Sequence, residues 1–162
     1  MTLITKDNSK PRIVIFAYGN PSRGDDALGP TLLHLIEETY STWENIELLE
    51  DFQLQVEHAL DLVNRDLAIF IDASVACSSP FTFAPLHPHP DRSYTTHALH
   101  PAAILQVYQE LYQRPPPPTF LLSIRGEQFE LGESLSDVAK QNLAEAWGFM
   151  KGWLESNSLK FS

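Results

Sequence analysis

Cysteine is nearly missing from this sequence: Cys77 is the only one in 162 residues. An internal disulfide and a multi-cysteine zinc site are therefore excluded. Basic side chains are also scarce, with 11 Lys and Arg against 21 Asp and Glu, and the resulting net charge of -10 would repel nucleic acid and anionic membrane surfaces. A protein or cationic partner is expected instead, with no nucleic acid and no membrane. No apolar run approaches the ~20 residues that span a bilayer. The first ten residues, MTLITKDNSK, lack the continuous apolar core of a signal peptide and are expected to fray, so the cytoplasm is the expected compartment. Internal repeats are not found, and the one low-complexity tract is the four prolines at 115–118.

What remains is 43% hydrophobic, enough for one domain with a core that stands alone. The run Ile13-Val14-Ile15-Phe16-Ala17-Tyr18 has no polar alternation, which predicts a strand near residues 12–18 covered on both faces, as in a parallel sheet. A polar loop, GNPSRGDDALGP over residues 19–30, leads from it into a helix expected near 27–40. Residues 46–50 alternate as a short second strand. Val56, Ala59, Leu60 and Val63 recur at i, i+3, i+4 and i+7, predicting a helix near 55–65, and residues 67–71 are a third buried strand ending at Asp72.

Strand, helix, strand, helix, strand argues for right-handed crossovers and a parallel sheet. The expected fold is an α/β three-layer sandwich: a mostly parallel twisted sheet of about five strands with helices on both faces. Residues 81–84 fit a short edge strand, and Pro85, Pro88 and Pro90 keep the adjoining stretch irregular. A third helix is expected to start near His100-Pro101, and residues 119–124 form the last strand. A final helix near 135–155 is expected to open at Ser134 with Asp137 three residues on, and to present Val138, Ala139, Leu143, Ala146, Trp147, Met150 and Leu154 to the core.

Open α/β sheets carry their functional crevice at the carboxyl ends of the parallel strands. There the first strand delivers Asn20, Asp25 and Asp26, the second Asp51, the third Asp72 and the fifth Arg125, while His97 precedes the third helix on the same side. Two carboxylates and an imidazole, Asp26, Asp72 and His97, suit a divalent metal or acid and base chemistry. Each also has a plainer reading: Asp25 and Asp26 as a helix cap, Asp72 as a turn, and His97 as a helix-edge histidine. The tract His87, His89, His97, His100 fits a solvated proline-rich loop better than a metal segment. Cys77 has no accompanying nucleophile motif, Ser22 and Ser74 lack a G-x-S-x-G elbow, and the loop lacks the G-x-G of a dinucleotide site.

These residues resemble the hydrogenase maturation endopeptidases over nearly the whole chain. The resemblance lies in the G-N-x-x-x-x-D-D/E-x-x-G loop at 19–29, the apolar strand ending at Asp72-Ala73, and the H-x-L segment His97-Ala98-Leu99 before a helix. Many members carry Gly-Gly-Thr after the second strand. This chain has Asp51-Phe52-Gln53-Leu54 instead, which is similar to the subgroup serving bidirectional, NAD-coupled hydrogenases.

The resemblance implies an endopeptidase that removes the C-terminal extension of a nickel-iron hydrogenase large-subunit precursor. Asp26, Asp72 and His97 would be its metal-contacting and catalytic positions. Nickel would arrive with the client, and no resident organic cofactor is expected. Asn20, Asp25, Phe52 and Leu54 are the expected substrate contacts, with Phe52 and Leu54 as an apolar wall and Asp25 alternatively as a cap or an orienting group. Two other readings remain at this point: a nickel-dependent precursor-binding protein that cuts nothing, and a phosphate or nucleotide domain, which the acidic pair at a helix start disfavours.

Overall fold

The residues 13–17 are too apolar for a strand with a wet face, and in the folded chain both of their faces are covered. The computed structural model describes residues 11–90 and 99–157. Its strands are β1 (Ile13–Tyr18), β2 (Ile46–Asp51), β3 (Leu67–Ser74), β4 (Phe81–Pro85) and β5 (Thr119–Arg125), in the order β2-β1-β3-β5-β4. The first three and β5 run parallel, and β4 closes one edge antiparallel to β5. This is the expected α/β sandwich, with the expected edge strand.

Strand alternation divides the core in two. Ile13, Ile15, Ala17, Ile69 and Ile71 point towards α1 (Leu28–Thr39) and α3 (Asp137–Asn157). Val14, Phe16, Ala68 and Phe70 point the other way, towards a 3₁₀ helix (Val56–Leu62) and α2 (Pro101–Tyr112). On that second side Phe16 and Phe70 stack with centroids 4.7 Å apart, a contact worth about 0.5–1.5 kcal/mol beyond its buried area. At the amino edge of the sheet the buried guanidinium of Arg65 donates to the carbonyls of Pro11 at 2.7 Å and Asp61 at 2.9 Å, and to Glu47.

Two local expectations are corrected. The helix expected at 55–65 is 3₁₀, and its three-residue turn brings Ala59 and Leu62 into the core while Val56 and Leu60 remain about half exposed. A reciprocal cap between Gln55 and His58 starts it, and Asn64 at φ 63° follows its end, so the segment is too short to relax into a full α-helix. Helix α3 starts later than Ser134 suggested: the hydroxyl of Ser136 accepts from Ala139 N–H at 3.1 Å, the reach of an N-cap. Within α3, Val138 lies outside the core and Asn142 inside it. By contrast, His100 caps α2 where expected, its ring accepting from Ala102 N–H at 3.0 Å ahead of Pro101.

Candidate functional site

Parallel pairing aligns the strand ends. Tyr18 of β1 lies beside Asp51 of β2, Asp72 of β3 beside Ser123 of β5, and Ser74 beside Arg125. The loop after β1 turns at Gly19, whose φ of +146° favours glycine; a Cβ there would fall 2.1 Å from the carbonyl oxygen of Asp26. Asn20 N–H donates to Asp26 Oδ2 at 2.6 Å, and the Asn20 side-chain oxygen accepts from Ser22 N–H at 2.9 Å. One 3₁₀ turn (Gly24–Ala27) then feeds α1. At its start Gly29 packs against the sheet so closely that a Cβ would lie 2.9 Å from Ile71 O and 3.1 Å from Tyr18 O. That close approach draws the Asp26 loop down onto the ends of β1 and β3.

Adjacent in sequence, Asp25 and Asp26 have different surroundings. Asp25 is fully buried. Its Oδ2 accepts from Glu127 N–H at 2.7 Å, Gln128 N–H at 3.0 Å and the Ser136 hydroxyl at 2.8 Å; its Oδ1 accepts from Ser136 N–H at 2.7 Å. Burial opposes its charge, but these donors outweigh burial and hold the carboxyl below its ordinary range. Further bonds, Gly24 N–H to Glu133 O and Gly132 N–H to Ser22 O, lace the loop after β1 to the loop after β5. The expectation of Asp25 as a substrate contact is therefore corrected: it fastens two loops, and it sits at the start of α3 rather than capping α1. Asp26 is only half-buried.

Asp72 is set across the strands. Alternation puts it on the α2 side, with Tyr18 on β1 and Ser123 on β5 flanking it. The Tyr18 hydroxyl donates to Asp72 Oδ2 at 3.0 Å. Oδ1 is buried and has no hydrogen-bond partner among the described residues. Burial raises the Asp72 pKa; the Ser123 and Tyr18 hydroxyls and the nearby His100 ring counter this, and the charge of Asp26 adds to it. Burial likewise pushes the Tyr18 phenol well up, reinforced by Asp72 and Asp26. Asp26, Asp72 and Tyr18 thus share one electrostatic environment.

The other expected residues separate. His97 lies outside the described residues. Among the described residues no group of three His, Cys, Asp or Glu side chains is placed to hold a metal. Leu54 is buried, 2% exposed, so it belongs to the α2-side core and not to an apolar wall, whereas Phe52 is 67% exposed. Asp51 bonds its own turn at Phe52 N–H, 2.7 Å, and approaches His58 Nε2 at 3.4 Å. Arg125 donates to Cys77 O at 2.8 Å, steadying the turn after β3. Cys77 is half-buried, and burial raises its thiol pKa, as suits an unreactive group.

Tyr18 and Ser123 escaped the sequence reading of the site, and His100 figures there only within the histidine tract read as a solvated loop. Tyr18 and Ser123 are polar interruptions near the ends of apolar strands, a signal that could have drawn attention to them. An orphaned carboxylate oxygen on Asp72 and a second carboxylate with only Oδ2 seen engaged form a donor set that suits a hard or borderline divalent cation.

No family model matches the chain, and no curated protein matches it. Solved structures do. The chain is similar to the [NiFe] hydrogenase maturation protease HycI from Thermococcus kodakarensis, at 22% identity and TM-score 0.67, covering 91% of this chain and 95% of that one. It is similar to the hydrogenase maturating endopeptidase HybD from Escherichia coli, at 20% identity and TM-score 0.69, covering 90% and 93%. A hydrogenase 2 maturation peptidase from a Thaumarchaeota archaeon aligns at 18% identity and TM-score 0.61, covering 90% and 97%. With the carboxylate-bearing sheet edge in place, these likenesses over nearly the whole chain lead to one conclusion: this protein has the fold of the hydrogenase maturation proteases.

Proposed function

We propose that this protein is an endopeptidase that removes the C-terminal extension of a nickel-loaded [NiFe] hydrogenase large-subunit precursor. The observation that carries the reading is the pair Asp26 and Asp72, brought together at the carboxyl edge of a sheet whose fold is that of the maturation proteases. The nickel is the client's cargo. Asp26 and Asp72 offer it oxygen ligands, and His97, from the sequence motif, is the proposed nitrogen ligand. His100 is a second imidazole near Asp72. A client without nickel has nothing for this set to grasp, so its tail is not presented for cleavage.

Hydrolysis needs a group that takes a proton from the attacking water, and the two carboxylates are the candidates at this edge. The Asn20 oxygen is engaged within its loop, so its amide NH₂ is the part proposed to meet the peptide. Phe52 is the proposed apolar contact. The subgroup serving bidirectional, NAD-coupled hydrogenases is the proposed client class, on the strength of the Asp51-Phe52-Gln53-Leu54 segment. No helix among the described residues is long and apolar enough to cross a membrane; the cytoplasm is the proposed compartment.

The test is intact mass of a nickel-loaded precursor after incubation, beside a nickel-free precursor and the Asp26→Asn variant. Loss of a C-terminal peptide with nickel only, and with Asp26 only, is expected. Nickel-dependent binding with no change of mass would replace the protease by a binding protein.

A further inference from the structure

The pairing register runs a row of three polar side chains across the middle of the sheet. Asp72 faces Ser123 directly, and Tyr18 follows Ala17, the partner of Ile71, so that it comes level with Asp72 on the other side. All three lie on the α2 face by strand alternation. Within the row the Tyr18 hydroxyl occupies Oδ2 of Asp72 at 3.0 Å, and the Ser123 hydroxyl also favours the charged carboxylate. The opposite oxygen, Oδ1, is buried without a hydrogen-bond partner among the described residues.

A partly buried phenol favours an acceptor, and that alone would explain a Tyr18 bond to some nearby carbonyl. It does not explain why the acceptor is the one carboxylate among the described residues that has a buried oxygen with no hydrogen-bond partner. From this geometry we infer that Tyr18 is a positioning residue: by holding Oδ2 it fixes the carboxylate plane of Asp72 and reserves Oδ1 for the client's metal. The inference rests on the protease reading above. In this arrangement Asp72 binds through one oxygen, and its second oxygen is withheld from the metal. The ring of Tyr18 packs against the α2-side core. Its hydroxyl does the orienting, so phenylalanine at this position separates packing from positioning.

The experiment compares the full-length protein with Tyr18→Phe, Ser123→Ala and Asp72→Asn. Nickel alone is titrated calorimetrically, and processing of a nickel-loaded precursor is followed by mass, with kcat and KM separated. Tyr18→Phe is expected to weaken nickel binding about tenfold and to lower processing by a similar factor, as removal of a ligand's hydrogen-bond partner does. Its unfolding midpoint should stay near that of the wild type. Ser123→Ala is expected to have a smaller effect in the same direction, and Asp72→Asn to abolish both readouts. A Tyr18→Phe protein that binds nickel and processes client like the wild type, while Asp72→Asn fails, would overturn the positioning role and leave the protease intact. A wild type that neither cuts nor binds the precursor would remove the protease reading itself, and this inference with it.

Discussion

Asp25 is a buried carboxylate and Asp72 a half-buried one whose Oδ1 is shut off from solvent, and their environments drive them in opposite directions. Asp25 meets four donors, which hold its pKa down against burial. Its contribution to stability is complete above the unfolded-chain value of about 3.9 and is lost as pH falls through the lower folded value. Asp25→Ala is therefore expected to cost about 3 kcal/mol in denaturant unfolding at pH 7, since it also strands buried N–H groups, and less near pH 3. An equal loss at both pH values would show that the charge is not what holds the loops. Asp72 is raised by burial, so its charge burdens the folded state at neutral pH. Asp72→Asn is expected to raise the melting temperature of the free protein while abolishing processing, the pattern of a residue kept for function. A melting temperature lower than the wild type's would contradict that assignment.

Helix α1 owes its position to a missing side chain. At Gly29 an added Cβ would press on two backbone carbonyls, Ile71 O and Tyr18 O, which cannot swing aside as a side chain could. Gly29→Ala should therefore push the helix start off the sheet, with a cost of about 1–3 kcal/mol in urea unfolding and a larger proportional loss of processing, because Asp26 moves with the helix. Unchanged processing at reduced stability would separate the helix from the site.

Elements with continuous apolar character were legible from sequence: β1, β3 and β5 were expected within a residue or a few of their observed bounds. The segment 56–62 was not, because Val56, Ala59, Leu60 and Val63 fit an α period, while local capping and the left-handed Asn64 impose a tighter turn. Site residues obeyed the same rule. Asp26 and Asp72 were readable as strand-edge carboxylates. The buried fate of Asp25 was not, since its partners Glu127, Gln128 and Ser136 are more than a hundred positions away.

Charge acts at the scale of the whole molecule. The net charge is -10, and the carboxyl edge of the sheet gathers Asp26, Asp51, Asp72, Glu127, Glu130 and Glu133 against Arg23 and Arg125. Such a surface speeds encounter with a basic face and is screened by salt, with a Debye length of about 8 Å at 0.15 M. Association with the precursor is expected to slow as salt rises from 0.05 to about 0.5 M, read by stopped-flow or surface binding. A rate independent of salt would assign recognition to the exposed Phe52 instead.

The lacing of the loop after β1 to the loop after β5 also bears on biosynthesis. A chain emerges amino end first, so Asp25 is made long before Ser136, 111 positions later, can meet it. Until then the loop that carries Asp26 lacks its ties to the loop after β5. The carboxylate-bearing edge of the sheet is thus among the last parts of the molecule to be completed, and an unfinished chain on the ribosome would hold its early acidic residues without their final arrangement.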